Sequence, residues 1–246
     1  MTKHIYNLKK QVADERDYSL GLILLPHESV KLPKQVDLRP KCPPVYDQGE
    51  LGGCTANAGV AALVMLMDYR LELSRLDQYY NERVIENDVA TDSGAQMRDI
   101  GNAMNKYGVC REEYFPYDIT KFANPPSAVA VADAASHTIK SYYSVANIDQ
   151  IKQVIALKQQ PVLCGMDVYE SFESQKVADT GIVPIPKKKE QLLGGHAVCA
   201  VGYDDKKKWF IMRNSWGADW GDKGYFYLPY KYFTKGFASD FWVLQN

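Results

Sequence analysis

The sequence predicts an α+β fold in which helices come first along the chain and strands follow. Before Pro161, apolar residues recur at helical spacing in four segments. After Pro161 they fall in short runs rich in β-branched and aromatic residues, which is typical of strands. Because the two kinds of element are separated along the chain, the pattern favours a helical part and a sheet part over alternating β–α units.

The first predicted helix runs from Cys54 to about residue 70 and is apolar on nearly all sides. Such a helix is typical of the centre of a core. Three more helices are predicted to start at Ser74, Met97 and Asn147, the first and last of these with capping residues. Strands are predicted at 162–168, 197–203, 209–213 and 225–228.

Length and charge limit the kind of protein. The 246 residues suffice for one large domain or two lobes that share a cleft. The formal net charge of -1 gives no global field that would attract nucleic acid or an anionic membrane, so neither partner is expected. No apolar run approaches the ~20 residues that span a bilayer. The start lacks a secretory signal pattern, so we expect a cytoplasmic location, with non-classical export left open.

The five cysteines are an odd number and form no CxxC pair, so we expect no metal site and no cofactor. Without a secretory signal, a reducing compartment is the default. Cys164 and Cys199 lie in apolar runs and are predicted to be core residues. Whether Cys42 and Cys110 pair is left open.

Cys54 is the first candidate for chemistry, because glycines precede it and an apolar helix follows it. A helix N-terminus offers unpaired N–H groups and a partial positive charge, both of which stabilise a thiolate. Gln48 lies six residues upstream, from where its amide can point at the same spot. For a cysteine taken alone, however, a buried and inert thiol behind a glycine turn is the better interpretation.

His196 and Asn214 are the other candidates. His196 follows two glycines at the start of a predicted strand, and Asn214 directly follows another strand. A nucleophilic cysteine needs a base, and an amide oxygen can fix the tautomer of that base. Taken singly, His196 is equally well explained as a histidine at a strand end, and Asn214 as a turn residue. Together, residues with the four required roles occur in the required order, which chance explains poorly.

The chain resembles the papain/cathepsin family of cysteine peptidases from about Pro33 to its end. His196 follows Cys54 by 142 positions, within the roughly 130–150 typical of papain-type partners, and Asn214 follows by 160, slightly later. The matching motifs are Val36-Asp37-Leu38-Arg39, Gln48-Gly49, Gly53-Cys54, Gly108-Val109, Tyr114-Phe115-Pro116-Tyr117, His196-Ala197-Val198, Val201-Gly202-Tyr203, Asn214-Ser215-Trp216-Gly217, Trp220-Gly221 and Gly224-Tyr225.

The resemblance implies a papain-like two-lobe fold, with an active-site cleft between a helical lobe and an antiparallel, β-barrel-like sheet lobe. We expect an N-terminal extension over residues 1–32 and a peptidase domain over 33–246, divided into lobes at about 39–137 and 138–240. It also implies a monomer that hydrolyses polypeptides through a Cys54 thioester and that an inhibitor of the cystatin type would recognise. The predicted catalytic residues are Cys54, His196, Asn214 and Gln48, and the predicted substrate-binding residues are Gly94, Ala95, Met97, Gly165, Gly194, Gly195, Trp216 and Ser239.

Three positions depart from the family pattern. Leu51 stands where a disulfide-forming cysteine is usual, and Thr55 replaces the aromatic residue that usually follows the nucleophile. Ala95 replaces the second residue of a usual Gly-Gly pair. The four chemical residues are intact. Two rival functions are a catalytically silent binding module on the same fold and a related amidase or acyl-transfer enzyme.

Residues 1–32 are much shorter than the family's usual pro-region. They contain an apolar run from Leu20 to Leu25 that needs a surface to cover it. One hypothesis is a lid that covers part of the cleft and lowers activity. The alternative is a strap that packs on the back of the sheet lobe and only stabilises it.

Overall fold

The computed structural model describes residues 4–22, 31–67 and 71–246. Its α-helices are α1 (Cys54–Met67), α2 (Arg75–Ile85), α3 (Met97–Lys106), α4 (Ala128–Ala134), α5 (Ile148–Gln153), α6 (Gln175–Thr180) and α7 (Tyr230–Thr234). Its strands are β1 (Gln35–Asp37), β2 (Ser141–Val145), β3 (Val162–Tyr169), β4 (Leu192–Asp204), β5 (Trp209–Arg213), β6 (Tyr225–Pro229) and β7 (Ala238–Gln245). No helix in these three ranges is long and apolar enough to cross a membrane.

Helix α1 is central, as its composition predicts. Every residue from its start to Val64 is buried, and the helix contacts α2, α3 and the sheet. Gly59 allows the close approach of α3, since a Cβ at this position would lie 2.5 Å from Ile100 Cγ2. On the sheet side, Cys199 of β4 donates its thiol hydrogen to the Ala58 carbonyl at 3.1 Å.

The predicted helix starts agree with the structure, with one difference. Ser74 Oγ accepts the backbone N–H of Asp77 at 3.0 Å, which caps α2. The Asp77 carboxylate does not return to Ser74 as in a capping box. It accepts instead from the Cys110 backbone N–H at 2.8 Å and from Asn81. Asp77 therefore fixes the chain that follows α3 against α2.

The sheet has the strand order β2-β7-β3-β4-β5-β6, with β1 paired to β4, and all of its pairings are antiparallel. Strand β4 lies near the middle and starts at Leu192, five residues before the predicted start. Its first residues include two glycines, which have low β-propensity, and pairing with β3 holds them in the strand. Strands β1, β2 and β7 were not predicted, and β2 is largely polar.

The helical part is followed by the sheet part between α4 and β2. Helix α4 ends at Ala134 and β2 begins at Ser141, on either side of the predicted lobe boundary near residue 137. Two features cross this division, because β1 precedes the helices yet joins the sheet, and α5 to α7 lie among the strands. The result is the predicted α+β fold, with α1 facing β4 across the interface between the parts.

All five cysteines are free thiols. Cys164 and Cys199 are buried in the main core, as predicted. Cys42 and Cys110 do not pair: Cys42 lies against Met65 in one apolar cluster and Cys110 belongs to another. No disulfide therefore stabilises this fold.

Candidate active site

Cys54 begins α1 and lies beside the strand that contains His196. The backbone N–H of Ala197, the residue after His196, hydrogen-bonds to the Cys54 thiol. Burial raises the pKa of this thiol to about 12, and hydrogen bonds from Ala197, Thr55 and its own backbone N–H act against that effect. In the structure described here, the neutral thiol is therefore the favoured form.

His196 is held by Asn214 and covered by Trp216. Its Nε2 lies 2.8 Å from Asn214 Oδ1, and since an amide oxygen only accepts, Nε2 carries the hydrogen. Within the described part of the chain, Nδ1 has no hydrogen-bond partner, so its lone pair is available to Cys54. The Trp216 ring stacks on the imidazole at 5.0 Å and 26°. Burial lowers the pKa of His196 to about 4, although the bond to Asn214 opposes the shift.

Gln48 is oriented by the residue after Asn214. Ser215 Oγ donates to Gln48 Oε1 at 2.7 Å, which turns the amide nitrogen away from Ser215. That nitrogen donates one hydrogen to the Leu51 carbonyl at 3.0 Å, and Leu51 lies between Gln48 and Cys54 in the chain. This bond uses one of the two amide hydrogens of Gln48 and leaves the other available to an acceptor.

Backbone pairing brings the Gln48 loop and the Asn214 loop together. The Gln48 N–H donates to the Ser215 carbonyl at 2.9 Å, and the Gly217 N–H donates to the Tyr46 carbonyl at 3.0 Å. Residues more than 160 positions apart in the sequence are thus fixed in one bridge. The predicted catalytic residues all lie at this junction of α1, β4 and the chain after β5.

The N-terminal extension runs through the cleft beside these residues. The Leu8 N–H donates to the Gly195 carbonyl at 3.2 Å, and the Lys9 N–H donates to the Ala95 carbonyl at 3.0 Å. Gly94 has φ +72°, and a Cβ there would lie 1.8 Å from the Asn7 carbonyl oxygen. Only glycine permits this contact. Residues 4–9 therefore occupy the groove in which sequence analysis places the substrate.

The side chain of Leu8 fills the pocket at one end of this groove. A Cβ built on Gly165 would lie 3.2 Å from Leu8 Cδ2, 3.4 Å from Met97 Cγ and 3.1 Å from the Ser239 carbonyl oxygen. Gly195 borders the backbone of Leu8, and Met97 is fully buried. The predicted substrate-binding residues thus lie together around the extension, and their role towards substrate stays a prediction.

His4 and Tyr6 occupy the other end of the groove. The His4 ring stacks on Trp216 at 3.7 Å and 6°, and its Nδ1 lies 3.1 Å from Glu173 Oε1. The Tyr6 hydroxyl donates to the same carboxylate, and its ring meets His196 edge-on at 6.2 Å. A Cβ on Gly194 would lie 2.7 Å from Tyr6 Cβ.

Sequence analysis did not identify His4, Tyr6, Leu8 and Glu173. One pattern that could have identified the first three is the alternation of His4, Tyr6 and Leu8, which is typical of an extended segment with one face against protein. The lid hypothesis has the extension cover part of the cleft and does not assign that role to particular residues of it. Leu20 is buried next to β2, whereas the rest of the apolar run, residues 23–25, lies outside the described residues. Among the described residues of the extension, residues 4–9 are the ones that cover the cleft.

Thr55, which departs from the family pattern, has a buried partner behind the nucleophile. Its Oγ1 donates to Glu82 Oε2 at 2.5 Å, and Gln78 Nε2 donates to Glu82 Oε1 at 2.8 Å. Burial raises the pKa of Glu82 to about 8, despite these two bonds. Among the described residues, no cluster of three or more His, Cys, Asp or Glu side chains could hold a metal ion.

A cysteine at a helix N-terminus, a histidine with one free ring nitrogen and an asparagine that fixes its tautomer define a cysteine peptidase site. The family described as papain family cysteine protease matches residues 32–240. An uncharacterized peptidase C1-like protein of Acanthamoeba polyphaga mimivirus is 44% identical over 215 residues, which are 81% of this chain and 69% of the viral protein. Cysteine proteinase 1 of Entamoeba histolytica is 29% identical over 221 residues, covering 86% and 68% of the two chains.

Among solved structures, xylellain, a cysteine protease from Xylella fastidiosa, superposes with a TM-score of 0.88 at 39% identity. The match covers 98% of this chain and 96% of xylellain, so it includes the N-terminal extension. The chain belongs to the papain family of cysteine proteases. It is a papain-like cysteine endopeptidase that acts on polypeptide substrates.

Proposed function

We propose that Cys54 is the nucleophile of this peptidase, with His196 as its base, Asn214 as the orienting group and Gln48 as an oxyanion donor. The observation that carries the proposal is the 2.8 Å contact between His196 Nε2 and Asn214 Oδ1, which leaves Nδ1 without a partner among the described residues. The next residue, Ala197, bonds to the Cys54 thiol through its backbone N–H. His196 Nδ1 takes the thiol proton, and the thiolate attacks the peptide carbonyl.

Attack by the thiolate gives a tetrahedral intermediate and then an acyl thioester, and the hydrogen-bond donors of the site stabilise the first of these. The tetrahedral oxyanion is bound by the second amide hydrogen of Gln48 and by the Cys54 backbone N–H. Protonated His196 gives its proton to the leaving amine, which leaves an acyl thioester on Cys54. Water, deprotonated by His196, hydrolyses the thioester and releases the carboxylic acid and the free thiol.

Replacing Gln48 by alanine is expected to lower kcat by about 10²–10³, the effect typical of removing one oxyanion donor. The matched control is Glu50→Ala, an exposed residue on the same loop, which is expected to leave kcat unchanged. Steady-state kinetics on one fluorogenic peptide compare the variants. An unchanged kcat in Gln48→Ala would remove this residue from the mechanism.

The extension is proposed to act as an inhibitory lid. By resemblance to the family, substrate residues before the cut lie along Gly94 and Ala95, and the substrate chain then passes Cys54 in the N-to-C direction. The extension runs in the opposite direction, with His4 at Trp216 and Lys9 at Ala95. It therefore fills the groove without presenting a peptide bond in the orientation of a substrate.

Ion pairs hold the extension on the helical side of the cleft. Lys9 pairs with Glu86, and Asp17 pairs with Arg98 at 2.5 Å, with both of the latter side chains largely buried. Gln11 Oε1 accepts from the Arg98 backbone N–H and from Trp242 Nε1, each at 3.0 Å. These contacts support a docked lid, since an extension that only strapped the back of the sheet would not need to reach Arg98.

The pocket that Leu8 fills is proposed to bind the substrate residue second before the cut. Its small walls and the flexible Met97 thioether should admit bulky apolar side chains such as leucine or phenylalanine. We expect a peptide library to show leucine preferred over aspartate at this place by at least about tenfold, because a buried carboxylate would find no partner among apolar walls. A preference for aspartate or glutamate there would contradict the assignment.

We further propose a monomeric enzyme, because one chain supplies every residue of the site. An inhibitor of the cystatin type would have to compete with residues 4–9 for the groove, since they already cover it. Such an inhibitor should therefore bind the intact chain more weakly than a variant whose extension is displaced, which a titration of activity would measure.

A further inference from the structure

Glu173 is a carboxylate on the wall of the cleft. It ends the turn Glu170–Glu173, directly before α6. The residue before it, Phe172, is buried and packs against Trp216 and Phe226 at ring distances of 5.5 and 5.3 Å. This packing fixes the turn relative to the ring that covers His196, so the Glu173 carboxylate has a fixed place next to the site.

Glu173 lies at the end of the groove that binds the substrate residues after the cut, which leave as the amine product. Leu8 and Lys9 mark the side that receives residues before the cut, through Gly195 and Ala95. Glu173 lies at the opposite end, where its partners are His4 and Tyr6. A substrate chain that continues past Cys54 must pass this carboxylate.

The present partners of Glu173 belong to the extension. Among the described residues, the only side chains that hydrogen-bond to its carboxylate are those of His4 and Tyr6. Burial would by itself raise the pKa of Glu173, but the bonds from His4 and Tyr6 outweigh it, so the pKa is lowered and the group is charged. Its side chain is 31% exposed even with the extension in place. When the extension leaves, this carboxylate loses both of these partners and faces the groove.

We propose that Glu173 is a specificity-determining residue that selects a basic side chain, lysine, arginine or histidine, at the first or second substrate residue after the cut. The inference rests on the proposed catalytic role of Cys54 and on the proposed course of substrate through the groove. The extension itself supplies the precedent, since it places a histidine and a hydroxyl donor on this carboxylate. A lysine or arginine side chain would form a charge-assisted hydrogen bond with this carboxylate in a partly buried site.

The test uses the full-length chain and quenched fluorescent peptides that share a leucine second before the cut. The peptides differ only in having lysine, glutamine or glutamate at the first or second residue after it, and mass spectrometry confirms the cut. We expect kcat/KM for lysine to exceed that for glutamate by about tenfold, and Glu173→Gln to bring this ratio close to one.

The ratio of kcat/KM for the lysine peptide to that for the glutamate peptide separates a change in specificity from a change in lid opening. Glu173→Gln also removes a lid contact, but any change in the open fraction multiplies the rates for all peptides equally. Glu170→Gln, an exposed residue of the same turn, is the matched control and should keep the wild-type ratio. A wild-type ratio of one or less, or a ratio that Glu173→Gln leaves unchanged, overturns the inference. The Cys54→Ala variant is measured on the same peptides. Cleavage that persists in this variant contradicts the catalytic role proposed for Cys54 and not the specificity proposed for Glu173.

Discussion

Replacing Cys54 by alanine is expected to abolish peptide turnover, with kcat reduced by about 10⁵-fold or more. The thiol forms the covalent intermediate, so no other group in the site can replace it. His196→Ala should reduce kcat nearly as far, because His196 is the proposed base and its Nδ1 has no other hydrogen-bond partner among the described residues. Steady-state kinetics on a fluorogenic peptide measure both.

The double variant gives the sharper result. Residues that act as a unit are not additive, so Cys54→Ala combined with His196→Ala should cost little more than either change alone. Cys110→Ala is the matched control, since Cys110 is also a buried free thiol but lies in a separate apolar cluster. Appreciable activity in Cys54→Ala would show that another residue is the nucleophile and would contradict the role proposed for Cys54.

Deleting residues 1–32 is expected to raise kcat/KM for a small peptide by about 10–100-fold. This is the increase expected if the state with the extension docked is more stable than the open state by roughly 1.4–2.8 kcal/mol. Residues 4–9 fill the groove, and their removal frees Gly195 and Ala95 for substrate. It should also make Cys54 more reactive. Exposure to water lessens the burial that raises the pKa of Cys54 to about 12 and lowers that of His196 to about 4.

Point variants separate the lid from any loss of folding. Leu8→Asp puts a charge into the apolar pocket and should displace the extension while the rest of the chain remains. Val12→Asp is the matched control, because Val12 belongs to the same extension but its side chain is 72% exposed. The rate at which iodoacetamide alkylates Cys54 should rise in Leu8→Asp and stay unchanged in Val12→Asp.

The strap hypothesis predicts a different outcome for the deletion. Leu20 is fully buried, and the Ser144 N–H donates to the Tyr18 carbonyl at 2.8 Å, so the extension also covers the edge strand β2. If the extension only stabilises, its deletion lowers the melting temperature and leaves kcat/KM unchanged or reduced. Thermal unfolding and kinetics on the same samples decide between the two.

The helix and strand order was predictable because it depends on local patterns. The period of apolar residues distinguishes α1 from β3 and β5, and Ser74 caps its helix through a contact only three residues away. The strands missed, β1, β2 and β7, owe their structure to hydrogen bonds with distant strands, which no local pattern records.

The sequence by itself determined which residue types are present for thiol chemistry and in what order, because a nucleophile, a base and an orienting amide must each have a particular functional group. It could not determine what lies in the cleft. The approach of His4 to Trp216 and of Tyr6 to Glu173 joins residues more than 160 positions apart, through contacts that exist only once the sheet is formed. Tertiary structure decided that the short polar start of the chain, at residues 4–9, occupies the groove. The physical reason is that a narrow groove lined by glycines accepts an extended backbone whose N–H groups find carbonyl partners on Gly195 and Ala95.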